Sequence, residues 1–406
     1  MTKVFCILAL LTVLWTTVPG QAQPPPQPFC TGTVEGIYSR VLHEQRTFWV
    51  HLPATADRNQ RFPVLYLLDG ESHFAGTVGM VQQLAGRWPD LIVVGIVNTA
   101  RNRDLTPTHV APSSLVDPNY AAVSGGGEKF MQFIGSELIP RIDSLYPTTP
   151  YRILSGHSLG GLTVVNTLAQ HPDLFSAYLS IDPSLWWDQQ QVLRTAETAL
   201  ATKKFAHKSL FIGISKPLLP PGMDTASAQH DGSDYTVLFR SVTHLTNTLR
   251  GVPANALRWR STYYPDEQHG TVELLGQYDG LKFLFDEYSF RASKFTFQPN
   301  VDLDSAVTAH FAHVSQLMGY QVLPGEQLIN NLGYTYLSRK QPQKAYAFFK
   351  RNVDNYPRSA NAYDSLGDFY AQQGNKRQAI AAYTEALELQ EIPDTRRKLT
   401  ALQARR

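Results

Sequence analysis

The sequence predicts an α/β protein: a mostly parallel sheet with flanking helices across residues 34–292, followed by an all-α region across 293–406. Two observations carry this prediction. From residue 34 to about residue 288, short apolar runs rich in Val, Ile, Leu and Tyr alternate with longer amphipathic stretches. A strand buried on both faces needs the first kind of segment, and a helix covering the sheet needs the second. Beyond Phe295 the short runs stop, and helical stretches recur at a 34-residue spacing. A chain of 406 residues exceeds the usual size of one core, and its 43% hydrophobic content can fill two.

Taken in order, the first segment reads as a signal peptide over 1–22: Lys3 supplies a positive start, residues 4–15 an apolar run, and Gly20-Gln21-Ala22 a small-x-small cleavage site. The apolar run is too short to cross about 30 Å of hydrocarbon, and no later segment is apolar enough to span a membrane. A secreted or periplasmic protein is expected. Cys6 would leave with the signal, so Cys30 would be the lone thiol of the exported chain. Residues 23–33, with Pro24-Pro25-Pro26-Gln27-Pro28, read as a stiff exposed leader. A formal charge of +2 gives no reason to expect a nucleic-acid or charged-membrane partner, and points instead to a small or neutral ligand.

Strands are expected at 34–41, 47–52, 64–68, 92–97, 152–155, 177–181, 209–214 and 257–263. In the helical region Leu332-Gly333 recurs as Leu366-Gly367, Tyr336 as Tyr370, Ala345 as Ala379 and Phe349 as Tyr383. These are the positions at which the two antiparallel helices of a tetratricopeptide unit nest. Two units seldom stand alone, so helices around 305–318 and 395–406 are expected to cap them, with docking on the sheet domain as further support. The repeats are a candidate surface for a protein partner.

The central motif is Gly156-His157-Ser158-Leu159-Gly160-Gly161, a G-x-S-x-G elbow directly after a strand and before a helix over Leu159–Gln170. The glycines remove Cβ atoms that would clash where the backbone doubles back around the serine. A serine hydroxyl becomes a good nucleophile only when a base takes its proton. His269 is the candidate base, lying in Pro265-Asp266-Glu267-Gln268-His269-Gly270 just past the last strand. The orienting carboxylate should lie between the two in the chain. Asp231 is the first choice, with Asp234 and Asp224 behind it, although each could equally cap a neighbouring helix. The oxyanion hole is expected from the backbone N–H groups of Leu159 and of Gly70 or Glu71, the latter in the turn after the strand ending Leu67-Leu68.

Trp186 and Trp187 follow a strand at the carboxyl edge of the sheet, where ligands bind, and are candidates for a pocket wall; packing under a loop is equally expected. Arg101 is a candidate for an anionic substrate group, although pairing of Arg101 and Arg103 with nearby carboxylates is the commoner fate. Ser124-Gly125-Gly126-Gly127 lacks the Gly-Lys-Ser/Thr of a nucleotide loop and reads as a flexible approach to a helix. The histidines show no metal-binding spacing, so neither metal nor cofactor is expected.

With these motifs the chain resembles the putative-esterase branch of the α/β-hydrolases, which includes esterase D and the enterochelin (siderophore) esterases. The resemblance covers about residues 34–288 and rests on Leu67-Leu68-Asp69-Gly70-Glu71, the stretch from Asn98 to Pro107, the elbow, Asp182-Pro183-Ser184-Leu185-Trp186-Trp187, and His269-Gly270 with Tyr278-Asp279-Gly280. It implies Ser158 and His269 as catalytic. In many members an acid closely follows the seventh strand, where this chain has Ser215-Lys216-Pro217, and the resemblance leaves open a Ser–His pair without an acid, as in some siderophore esterases of this branch. The expected function is hydrolysis of a small-molecule ester, a siderophore or other carboxylic ester, through an acyl-enzyme. Acyl transfer on the same fold and a silent scaffold presenting the repeats are the alternatives.

Overall fold

The computed structural model describes residues 30–54, 60–217, 219, 222–291 and 302–404. The signal peptide and most of the Pro-rich leader lie outside the described residues. Eight strands form one sheet: β1 (Thr33–Ser39), β2 (Glu44–His51), β3 (Phe62–Leu67), β4 (Ile92–Ile96), β5 (Thr148–His157), β6 (Ala177–Ile181), β7 (Ser209–Ser215) and β8 (Arg258–Tyr264). Their order across the sheet is β1-β2-β4-β3-β5-β6-β7-β8. β1 with β2 and β2 with β4 run antiparallel; every other neighbouring pair is parallel.

Each expected strand is present. The largest difference is β5, which begins at Thr148 rather than near 152. Its early residues pair with Phe62 across a register shift between Phe62 and Val64. Pro150 lies in that stretch, and a residue without an N–H is tolerated in a sheet mainly at such irregularities.

The central strands are apolar on both faces because both are covered. Val64, Tyr66, Val94, Leu154, Tyr178 and Ile212 point into one cluster. Their chain neighbours Leu65, Val93, Ile153, Leu179 and Phe211 point into the other, as a side-chain period of two requires. That second cluster does not stop at the sheet. It runs through Phe283 and Phe285 to Val307 and Phe311 of the helix Leu303–Met318, and on to Ile329, Phe349 and Phe369. The helical region therefore shares a core with the sheet.

Beyond that helix the chain forms the hairpins Glu326–Ser338 with Pro342–Asn355 and Ala360–Gln372 with Lys376–Leu389, then the helix Pro393–Ala404. The glycines of the repeat sit under the aromatic residues of the paired helix. A Cβ on Gly333 would come within 2.7 Å of the Phe349 ring, and one on Gly367 within 2.5 Å of Tyr383. Lys398 of the last helix reaches back to Asp364 at 2.9 Å and Asp368 at 2.8 Å, tying it to the second hairpin. No helix among the described residues is long and apolar enough to cross a membrane.

Candidate active site

β5 delivers Ser158 at its carboxyl end, and the helix Leu159–Gln170 leaves immediately after it. Turning so sharply holds Ser158 at φ 60°, ψ −117°, a conformation that costs a non-glycine residue about 1–3 kcal/mol and persists only where its surroundings enforce it. They do so here. A Cβ at Gly156 would lie 2.5 Å from the carbonyl carbon of Gly160, and one at Gly161 3.0 Å from the Ile181 carbonyl oxygen. The Ser158 N–H donates to Ile181 O (3.0 Å), and its own carbonyl accepts from Leu162 N (2.9 Å) and Ser184 N (3.0 Å).

His269 comes from the loop between β8 and the helix Val272–Leu284. Its Nε2 lies 2.9 Å from Ser158 Oγ, and its Nδ1 lies 2.6 Å from Asp182 Oδ2. An ionised carboxylate only accepts, so Nδ1–H donates to Asp182 and the Nε2 lone pair faces the serine hydroxyl. Asp182 is fully buried at the end of β6. Its Oδ1 accepts from Ser215 N (3.0 Å) and its Oδ2 from Ser215 Oγ (2.6 Å). Burial would raise the Asp182 carboxyl, but the His269 ring and the Ser215 donors outweigh it and hold the group below the usual carboxylate range.

The expected acid, Asp231, is therefore corrected. Its carboxylate accepts from Ser233 N (3.1 Å), Ser233 Oγ and Thr236 Oγ1 (2.8 Å) in its own turn. Asp224 caps a short helix through Ser227 N (2.7 Å), and Asp234 accepts from Ser114 Oγ (2.6 Å). The residue that meets His269 comes one strand earlier than expected. β6 and β7 end side by side, with Ile181 opposite Gly213, so Ser215 of β7 holds the carboxylate of Asp182. The signal was present in the sequence as an aspartate immediately after a buried strand, between the serine and the histidine in chain order.

Gly70 and Glu71 open the helix Gly70–Gln83, and Leu159 opens its own. First-turn N–H groups have no intrahelical acceptor, so all three are available as donors of the kind an oxyanion hole uses. Gly70 is packed so closely on β4 that a Cβ would lie 2.5 Å from the Gly95 carbonyl carbon. Ahead of it Asp69 holds the left-handed conformation at φ 54°, ψ 45°.

Trp187 is a second correction. It is 2% exposed in the core, with Nε1 donating to Thr108 O (3.2 Å), because the chain after β6 turns inward under the loop that carries Thr108. Trp186 is half-buried beside it, the ring centroids 5.8 Å apart. Arg101 pairs with Asp69, and Arg103 with Glu44 and Asp104. A cavity of about 900 Å³ lies elsewhere, lined by Trp88, Thr149, Tyr288, Phe311 and Tyr320 near the opposite ends of β3 and β5, where the sheet meets the helical region. It contains none of the Ser158, His269 and Asp182 group, and geometry rather than cavity size locates the chemistry.

Strand order, a serine at the elbow after β5 and a histidine held between that serine and a buried aspartate define an α/β-hydrolase with a Ser–His–Asp site. Residues 39–211 match the family described as putative esterase, and residues 360–393 match the tetratricopeptide repeat. The structure of an IroE-like serine hydrolase from Shewanella oneidensis is 30% identical and superposes with a TM-score of 0.66, covering 80% of this chain and 99% of that one. Ferri-bacillibactin esterase BesA of Bacillus subtilis is 33% identical over 195 residues, 42% of this chain and 66% of BesA. The siderophore triacetylfusarinine C esterase of Aspergillus fumigatus is 29% identical over 166 residues, 36% of this chain and 52% of that enzyme. The chain thus spans about half to two thirds of these two curated relatives. It belongs to the putative-esterase family, with tetratricopeptide helices at its C-terminal end.

Proposed function

We propose that this protein hydrolyses a carboxylic ester of the siderophore type through an acyl-enzyme on Ser158. The observation that carries the reading is the unbroken contact from Asp182 through His269 to the Ser158 hydroxyl, at 2.6 Å and 2.9 Å. Ser158 Oγ attacks the ester carbonyl carbon as His269 Nε2 takes its proton, and buried Asp182 stabilises the imidazolium that forms. The negative oxygen is received by the N–H groups of Leu159 and of Gly70 or Glu71. His269 then protonates the departing alcohol, and the reverse proton path lets water release the acid. Siderophore esters are preferred as substrates because relatives at 33% and 29% identity act on them. The apolar run after Lys3 supports export, and the repeat helices are the surface offered to a protein partner.

The test is fluorophosphonate labelling and ester turnover on the purified protein. Wild type is expected to label and to hydrolyse both short esters and a ferric triester siderophore, while Ser158→Ala does not label and loses about 10⁴-fold or more in turnover. Wild type that neither labels nor turns over any ester would overturn the reading in favour of a silent scaffold. Hydrolysis of short esters alone would remove the siderophore assignment and leave the esterase. Products that shift to a new ester when an alcohol is added would instead identify acyl transfer.

A further inference from the structure

The turn that offers Gly70 and Glu71 to the site is held by more polar contacts than its own short length requires. Asp69 is 5% exposed, yet both of its carboxylate oxygens are engaged from the β4 side of the sheet. Arg101 Nε donates to Oδ1 at 2.7 Å and Arg101 Nη2 to Oδ2 at 2.9 Å. Asn98 Nδ2 donates to the same Oδ1 at 2.6 Å and also to Glu71 Oε1 at 2.7 Å, while Asn98 N donates to Glu71 Oε2 at 3.2 Å. Asp69 and Glu71 flank Gly70, so the segment after β4 grips the turn on both sides of the glycine that packs on the Gly95 backbone. The same Asp69 carboxylate also reaches the elbow. Its Oδ2 lies 3.5 Å from where a Cβ on Gly160 would be. One carboxylate thus anchors the turn and lies beside the elbow helix that carries Gly160.

Three physical points favour a latch over a substrate contact. A left-handed non-glycine backbone at Asp69 stores strain that something must hold. A fork-on-fork guanidinium–carboxylate pair is directional, and it fixes orientation as well as distance. Finally, Arg101 spends two of its three nitrogens on Asp69, and its side chain is only 37% exposed. We infer that Arg101, seconded by Asn98, is a positioning residue that locks the Asp69–Glu71 turn in the geometry needed to stabilise the oxyanion, and that it acts on turnover rather than on substrate capture. This inference rests on the ester-hydrolase reading of the site.

The test compares wild type with Arg101→Lys, Arg101→Met and Asn98→Ala on a neutral short ester and on an ester of the same alcohol carrying a carboxylate in its acyl chain. Inhibition by an alkyl trifluoromethyl ketone is measured alongside, since its hemiketal oxygen occupies the oxyanion position. Lysine keeps the charge but cannot present two parallel donors. The latch predicts that kcat falls about 10²-fold in Arg101→Met, and about tenfold in Arg101→Lys and Asn98→Ala, a displacement of well under 1 Å being enough for that. KM should stay within about twofold for both esters, and the ketone's inhibition constant should rise in proportion to the loss in kcat/KM. A loss confined to KM of the anionic ester would overturn the latch and make Arg101 a substrate contact. Unchanged kcat in Arg101→Lys and Asn98→Ala, both expected to fold whatever becomes of Arg101→Met, would also overturn it. Failure of wild type itself to label or turn over would refute the esterase reading instead, so the two failures are told apart.

Discussion

Asp182 leaves β6 with a positive φ of 44°, buried from solvent and held by Ser215 and His269. Replacing it by asparagine keeps the shape but puts an amide where the imidazole needs a pure acceptor. Asp182→Asn is therefore expected to lower kcat about 10⁴-fold with the fold unchanged. Asp231→Asn, which disturbs only a surface turn, should leave turnover within about twofold of wild type, since surface changes away from a site rarely matter. Steady-state kinetics on a short ester separates these two outcomes. His157 tests the site's electrostatics differently. Burial first, and then the neighbouring His269 ring at 4.6 Å between centroids, push its imidazole from 6.5 down to about 4. Below about pH 6.5 the unfolded chain binds a proton at this ring, while the folded chain refuses it until about pH 4. Stability must therefore fall as pH drops through this window, by about 3 kcal/mol at its full extent. The depressed Asp182 group loses its contribution only at still lower pH, as the folded carboxyl is protonated, and it is common to both proteins compared. Urea titrations at pH 7 and at about pH 4.5 should show wild type losing clearly more stability than His157→Gln. Equal losses would mean that the ring is not the group responsible.

At the scale of single elements, glycine has opposite effects in different helices. Gly367 lets the helix Ala360–Gln372 lie against Tyr383, whose hydroxyl is held by Asp368 at 2.7 Å. A methyl group there would stand 2.5 Å from the ring, so Gly367→Ala should destabilise the protein by about 1–3 kcal/mol despite alanine's better helix propensity. Gly79, inside the helix Gly70–Gln83, has nothing within 4 Å of its Cβ position. Gly79→Ala should instead stabilise by about 0.5–1 kcal/mol, because alanine has less backbone entropy to lose. Paired denaturation curves in which both variants are stabilised would show that propensity, and not packing, governs these helices. The elbow was legible at this scale for the same reason: a strand, a tight turn and a helix are each encoded by residues a few positions apart.

For the whole molecule, the deciding feature is the hydrophobic cluster that passes from the Leu65 and Val93 face of the sheet through Phe285 and Phe311 to Phe349 and Phe369. Two regions that share a core should unfold together, so calorimetry is expected to give one transition whose calorimetric and van't Hoff enthalpies agree. Two separated transitions would mean that the helical region is an independent domain. The periodicities that run along the chain determined the eight strands, the nucleophile turn, the candidate base and the phase of the helical repeat, because each depends on which near neighbours a residue has and on which face it presents. Only the tertiary structure decided which carboxylate meets His269, the burial of Trp187 and the partner of Arg101. Asp182 meets His269 across 87 residues of chain, and that meeting exists because strand order sets β6, β7 and β8 side by side. A pattern local to the sequence carries no term for which strand ends lie together in space.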